Sequence, residues 1–142
     1  MEQSKNESRI MGIDFGEKRI GIALSDPLFI FAYPFITLQN DSAFINNLSK
    51  IISEKNIAKI ILGLPSLKFK SSAELSKKVQ KLKQEIETKF KIVVILWDEE
   101  YSSAIAKEKV IESVTKKSKR RNKDLLDKHS AAIILQEYLE SK

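Results

Sequence analysis

Apolar and polar positions alternate in the early part of the chain, and this pattern predicts β-strands. Residues 9–15 and 19–25 are apolar at strand spacing, and residues 16–18, GEK, suit a hairpin turn between them. A third strand is predicted over residues 30–38. Pro34 lies inside it and cannot donate a ladder hydrogen bond, so we expect this strand at an edge of the sheet.

The rest of the chain switches between helical periodicity and short apolar runs. Residues 59–64 and 91–97 are continuous apolar runs, which are typical of strands covered on both faces. Asp41 is placed to cap a helix that begins near Phe44, and Ser71 opens a second helix through an S-x-x-E capping box. Further helices are predicted over residues 103–112 and 124–139.

The predicted order is therefore βββαβαβα, which indicates an α/β fold with a mixed sheet and helices on its faces. The 142 residues fit a single domain over residues 9–142, preceded by a disordered polar tail over residues 1–8. The chain has no cysteine, which excludes disulfides and thiolate metal sites and fits a cytoplasmic location. No apolar run is long enough to span a membrane and the start is unlike a signal peptide, so we expect no membrane association.

The net charge of +6 comes from one stretch of the sequence. Residues 116–123 hold six basic residues and no acid, and without them 19 basic residues face 19 acidic ones. A local basic cluster favours a polyanionic partner such as nucleic acid, and a solvated charged loop is the alternative. The basic residues of this stretch are Lys116, Lys117, Lys119, Arg120, Arg121 and Lys123.

Acidic residues stand at the ends of two predicted strands and at the start of the last helix. Asp14 ends the first apolar run, and Asp98 and Glu99 follow residues 91–97. Alternation sends Asp98 and Glu99 to opposite faces, so only one of them is expected to join a given cluster. Asp127 begins an apolar, inward-looking stripe of the last helix. Taken singly, Asp14 could be a turn residue, and Asp127 could be a first-turn acid that complements the helix dipole.

If three such carboxylates converge, their mutual repulsion requires a divalent cation. Carboxylates and waters are the ligands of Mg²⁺ or Mn²⁺. Two such ions roughly 4 Å apart can activate a water and stabilise the leaving oxygen in phosphodiester hydrolysis. The basic stretch would then hold the phosphate backbone, so this combination predicts a nuclease.

Four separated segments carry distinctive motifs. The first is residues 9–27, RIMGIDFGEKRIGIALSDP, and the second is residues 61–65, ILGLP. The third is residues 97–103, WDEEYSS, and the fourth, after the basic stretch, is residues 127–135, DKHSAAIIL. In this order, across roughly residues 9 to 139, the segments resemble the YqgF family, also called RuvX. They are similar in turn to the family's opening, its G-L-P segment, its D-E-R-[LY]-[ST]-[ST] segment and its D-x-x-[AS]-A helix.

This resemblance implies an RNase H-like fold, in which a five-stranded mixed sheet is flanked by helices. It implies a Mg²⁺- or Mn²⁺-dependent nuclease that matures the 5′ end of pre-16S rRNA in ribosome biogenesis. Asp14, Glu99 and Asp127 match the family's catalytic and metal-binding acids. Lys18 and Arg19 match the turn beside the first acid, where they would contact phosphate.

The chain departs from the family pattern in two places. Glu100 stands where the family usually has Arg, and residues 66–71, SLKFKS, lack the usual Asn and Gly. Glu100 therefore keeps open a catalytically silent RNA-binding factor for ribosome assembly. A Holliday-junction resolvase acting on branched DNA is also open, because phosphate contacts carry no base identity. A fragment of the sugar-kinase and actin fold is a further alternative, although the chain is short for two lobes. Either a monomer or a homodimer is compatible with the sequence.

Overall fold

A computed structural model describes residues 7–64, 72–98 and 123–141, which form one mixed sheet with helices on both faces. The sheet order is β3-β2-β1-β4-β5, in which β1 pairs antiparallel with β2 and parallel with β4. No helix in these three ranges is long and apolar enough to cross a membrane. The elements are β1 (Arg9–Asp14), β2 (Arg19–Ser25), β3 (Ala32–Gln39), α1 (Phe44–Lys55), β4 (Ile57–Leu64), α2 (Ser72–Phe90), β5 (Val93–Asp98) and α3 (Lys123–Glu140).

The first three strands confirm the predicted hairpin and the predicted edge. Strand β2 pairs antiparallel with β1 and with β3, and β3 has no neighbour on its other side among the described strands. Pro34 pairs with Ala23, and the register shifts between Ile22 and Ala23. A proline and a register shift both make an edge strand a poor template for further pairing, so β3 is suited to its position.

Other expectations are corrected or lie outside the described residues. The sequence predicts that β5 is buried on both faces, but Val93 is 61% exposed and β5 is the outermost of the described strands on its side of the sheet. Asp41 is predicted to cap α1, but the N-cap is Ala43. The Asp41 side chain instead stabilises the turn before the helix, where its Oδ1 accepts a hydrogen bond from the Ala43 N–H at 2.9 Å. Ser71 and the helix predicted over residues 103–112 fall outside the described ranges.

Alternation along the strands divides the core between the two faces of the sheet. On one face, side chains such as Ile13 and Leu62 form a cluster with the apolar stripes of α1 and α2. On the opposite face, Ile10 and Ile61 pack in a second cluster with α3. The face on which any strand residue lies therefore follows from its spacing to these core residues.

Helix α3 lies unusually close to the sheet because glycines stand beneath it. An added Cβ on Gly12 would lie 2.8 Å from the Leu135 Cβ and 2.9 Å from the Ala131 carbonyl oxygen. An added Cβ on Gly21 would lie 2.1 Å from the carbonyl oxygen of Asp127. Only residues without a side chain allow this approach, so Gly12 and Gly21 set how α3 docks.

The side chain of Asp26 stabilises the turn that follows β2. Asp26 Oδ1 accepts the N–H groups of Ile30 at 2.7 Å and Phe31 at 2.8 Å. The hydrogen bond from the Phe31 backbone is the main cause that lowers the Asp26 pKa below its ordinary 3.8. A depressed carboxyl pKa contributes stability above the unfolded-state pKa, and that contribution is lost as pH falls through the folded-state pKa. Because solvent screens this exposed carboxylate, Asp26→Asn should lower the free energy of unfolding at pH 7 by no more than about 0.5 kcal/mol, with the difference shrinking below about pH 4.

Urea unfolding of wild type and Asp26→Asn between pH 3 and pH 7 measures this difference. A difference that stays constant across the whole range would contradict the role assigned to the Asp26 carboxylate.

Candidate active site

One end of the sheet gathers the candidate acids. Strands β1, β4 and β5 are parallel, so their carboxyl ends, including Asp14 and Asp98, lie along the same end of the sheet. The start of β2 with Arg19 lies there as well, because β2 runs antiparallel to β1 and Asp14 pairs with Gly21, two residues after Arg19. In α/β proteins, sites form at the carboxyl ends of strands.

Asp14 and Asp127 lie on the same face at this end. Asp14 is the cross-strand partner of Gly21, and directly paired residues project from the same face of a sheet. The backbone of Asp127 passes over that face, as the Gly21 contact shows. The spacing from Ile10, which packs against α3, gives Asp14 the same orientation. The structure therefore brings together two predicted acids that are far apart in the sequence.

The last helix presents Asp127 as its spacing predicts. Ala131, Ile134 and Tyr138 share its face, and all three are buried in the cluster between α3 and the sheet. Asp127 lies at the exposed end of this apolar stripe, where its side chain is 27% accessible. The backbone of Asp127 is thus held by the buried residues that follow it in α3, while its carboxylate stays accessible to solvent.

Arg19 is held by Asp127. The Arg19 Nε donates a hydrogen bond to Asp127 Oδ2 at 3.0 Å, and both side chains are 27% exposed. This ion pair joins the start of β2 to α3 across 108 positions of the chain. The phosphate contact that the family resemblance implies for Arg19 stays a prediction, and in the structure Arg19 is bound to Asp127, a predicted metal ligand.

Asp98 occupies the opposite face from Asp127. It pairs with Leu64, and both Leu64 and Leu96 pack against the core that α1 and α2 cover. Residues two positions apart on a strand project from the same face, so Asp98, like Leu96, projects toward α1 and α2. Of the two neighbouring acids, Asp98 is therefore the one excluded from a cluster on the α3 face.

Several predicted site residues lie outside the described residues. These are Glu99 and the basic residues from Lys116 to Arg121, while Lys123 is the first residue of α3. Within the described ranges, no group of three or more His, Cys, Asp or Glu residues is placed to hold a metal ion. The structure thus supplies two members of the predicted three-acid set, both with the hard oxygen donors that Mg²⁺ and Mn²⁺ prefer.

The turn that carries Lys18 is fixed by contacts that the sequence did not predict. The Asn40 side-chain amide donates to the Gly16 carbonyl at 2.9 Å, and the Asn40 backbone N–H donates to the Lys18 carbonyl at 3.0 Å. Lys78 Nζ of α2 contacts Glu17 Oε2 at 2.7 Å, and this contact lowers the Glu17 pKa. Lys18 itself is exposed at the tip, beside the end of β1. Its exposure and position are compatible with a phosphate contact.

The fold and this site define an RNase H-like α/β protein with one carboxylate at the end of its central strand and a second, from its last helix, on the same face. The model of the RuvX family, described as Holliday junction resolvase, matches residues 8–141. The chain therefore belongs to the RuvX family, which confirms the resemblance found in the sequence.

Relatives agree with this assignment, and solved structures agree with the fold. A Caldicellulosiruptor saccharolyticus protein named "Putative pre-16S rRNA nuclease" is 38% identical, over 93% of this chain and 96% of its own. An Oceanobacillus iheyensis protein of the same name is 39% identical, over 94% and 99%. Among solved structures, T. thermophilus RuvC in complex with a Holliday junction substrate gives a TM-score of 0.61 at 14% identity, covering 94% of both chains. The fowlpox virus Holliday junction resolvase gives 0.57 at 15% identity, covering 94% of this chain and 99% of its own. These structural matches confirm the predicted RNase H-like fold.

Proposed function

We propose that the protein is a Mg²⁺- or Mn²⁺-dependent nuclease that hydrolyses phosphodiester bonds in structured RNA, with the 5′ end of pre-16S rRNA as its substrate. The observation that carries this proposal is the placement of Asp14 and Asp127 on one face at the end of the central strand. Two carboxylates brought together from opposite ends of a chain repel each other, and a divalent cation offsets that repulsion. Membership of the RuvX family supports the same chemistry.

Asp14, Asp127 and Glu99 would hold the metal. Glu99 is proposed as the third ligand because it matches the acid of the RuvX family and because its neighbour Asp98 projects to the other face. When bound, the metal would activate a water and stabilise the leaving oxygen of the phosphodiester. The two described carboxylates fit this role, since both are partly exposed oxygen donors on one face.

The protein's own residues would orient the substrate. Lys18, at the tip of the turn that Asn40 clamps, would contact a phosphate next to the reacting one. The basic stretch from Lys116 to Lys123 would hold the backbone further along. These contacts fix the position of the substrate and do not by themselves distinguish RNA from DNA.

A cleavage assay with two substrates tests the proposed function. Purified protein with Mn²⁺ is given precursor 16S rRNA or a four-way DNA junction, and products are mapped at nucleotide resolution. We expect cleavage of the RNA near the 5′ end of the mature sequence. Cleavage of the junction alone would replace the proposal with a Holliday-junction resolvase, the activity in the description of the family model. Cleavage of neither substrate would contradict nuclease activity.

Neutralising the basic stretch gives a separate prediction. The triple substitution of Lys119, Arg120 and Arg121 by Gln should weaken RNA binding and reduce the salt dependence of the binding constant. On a duplex, the slope of log K against log salt should fall by about 0.9 for each phosphate that the protein no longer neutralises. Filter binding from 50 to 300 mM KCl measures the slope. Replacing Lys50, Lys55 and Lys91, which lie away from the strand ends that carry the acids, is the charge-matched control. Equal slopes in wild type and the triple variant would show that the stretch does not touch the backbone.

A further inference from the structure

Arg19 is a cation placed inside a site that is proposed to bind another cation. Its Nε donates to Asp127 Oδ2 at 3.0 Å, and the pair is only 27% exposed on each side. The backbone of α3 is already held against the sheet by its close approach to Gly21. The ion pair is therefore not needed to dock α3. It neutralises the charge of Asp127 and fixes the orientation of the Asp127 side chain.

The charges of the site explain why Asp127 has a cationic partner. Asp14 and Asp127 lie on the same face, and like charges at close range raise the free energy of the folded state. The Arg19 guanidinium offsets the charge of Asp127. A divalent cation bound by the same carboxylates would offset both, but it would be repelled by Arg19. The two cations therefore compete for Asp127.

We propose that Arg19 is the counter-ion of Asp127 in the metal-free protein and that it turns to a substrate phosphate when a divalent cation takes that carboxylate. This inference rests on the proposed nuclease function. Arg19 is the first residue of β2 and directly follows Lys18, so it stands at the edge where the backbone of a substrate would pass. A guanidinium binds either a carboxylate or a phosphate through the same planar set of donors.

An exchange of partners links metal binding to substrate binding. If the metal releases Arg19 from Asp127, the freed cation strengthens binding of the phosphate backbone. By thermodynamic reciprocity, the substrate must then strengthen binding of the metal by the same factor. Arg19 would in this way favour metal occupancy when nucleic acid is present.

The first test measures Mn²⁺ affinity of the nucleic-acid-free protein by electron paramagnetic resonance at low ionic strength. Arg19→Gln removes the competing charge and should bind Mn²⁺ about tenfold more tightly than wild type. Arg19→Lys keeps the charge and should stay close to wild type. A purely structural role predicts the reverse, because an Asp127 that is no longer held would bind the metal more weakly. Unchanged or weaker binding by Arg19→Gln, or equal tightening in Arg19→Lys, would overturn the inference.

The second test measures the coupling itself, with Ca²⁺ in place of Mn²⁺ so that the RNA stays intact. Wild type should bind RNA more tightly when Ca²⁺ is added, and Arg19→Gln should show little of that increase. A wild type whose RNA affinity does not rise with Ca²⁺ would overturn the exchange of partners. Circular dichroism confirms that each variant is folded.

A failed metal site and a failed role for Arg19 give different results in these measurements. If wild type and Asp14→Asn bind Mn²⁺ equally weakly, the proposed metal site is wrong whatever Arg19 does. If wild type binds Mn²⁺ through Asp14 and Arg19→Gln binds it with the same affinity, only the role of Arg19 is wrong.

Discussion

Asp14→Asn should abolish cleavage while leaving the protein folded. The substitution keeps the shape of the side chain but removes a charged oxygen donor at the end of the central strand. Metal-ion catalysis contributes several kcal/mol of transition-state stabilisation, so the cleavage rate should fall by about a thousandfold. Single-turnover cleavage of precursor 16S rRNA measures the rate, and urea unfolding measures the stability. Activity near the wild-type level would remove Asp14 from the mechanism.

Asp98→Asn is the matched control for this variant. Asp98 also ends a strand at the same end of the sheet, but it projects to the face that α1 and α2 cover. We expect Asp98→Asn to keep wild-type activity and Glu99→Gln to lose it to the same extent as Asp14→Asn. Loss in Asp98→Asn together with an active Glu99→Gln would reverse the assignment of the third ligand. RNA binding by both wild type and Asp14→Asn, with no cleavage by either, would support a catalytically silent RNA-binding factor.

Gly21→Ala should destabilise the protein and displace the second acid of the site. The new Cβ would lie 2.1 Å from the carbonyl oxygen of Asp127 and 2.4 Å from its carbonyl carbon. Both are backbone atoms, so the clash cannot be relieved by rotation of a side chain. No glycine in the described residues has a positive φ, so the backbone at Gly21 accepts alanine and the cost is steric. Overpacking of this kind costs about 3 kcal/mol, which exceeds the gain of at most about 1 kcal/mol from a stiffer unfolded chain.

Gly12→Ala is the comparison that separates stability from site geometry. Its added Cβ would meet the Leu135 Cβ at 2.8 Å and the Ala131 carbonyl oxygen at 2.9 Å, one turn or more beyond Asp127. We expect a smaller loss of stability and a smaller loss of activity than in Gly21→Ala. The midpoint of urea unfolding and the cleavage rate are measured for both variants. If Gly21→Ala is as stable and active as wild type, α3 does not depend on the glycine for its position.

The parts of the fold that the sequence predicts best are those with local causes. The β1–β2 hairpin follows from alternating residues around a short turn, and the edge position of β3 follows from Pro34. The position of β5 was not predictable in this way, because its apolar run is typical of a central strand and the sheet order decides which strand lies at the edge. The order depends on how helices cross the sheet, which composition does not reveal.

The candidate site shows the same division between local and long-range causes. Asp14 and Asp127 could be predicted because each stands at a recognisable boundary of an element. Their convergence and the pairing of Arg19 with Asp127 depend on contacts across 108 positions, for which a single sequence holds no local signal. The small residues Gly21 and Ala23, two positions apart on β2, do indicate the close approach of another element, although they do not reveal which element it is.

The long separation between Arg19 and Asp127 has a consequence for synthesis of the protein. While the nascent chain is still attached to the ribosome, β1 to β5 can emerge and pair before α3 has left the exit tunnel. Until that last helix docks, the second carboxylate is absent and the apolar surface around Ile10 and Ile61 is uncovered. The two described acids therefore come together only after α3 has been made and has docked, so a chain that stops short of α3 lacks half of the described site.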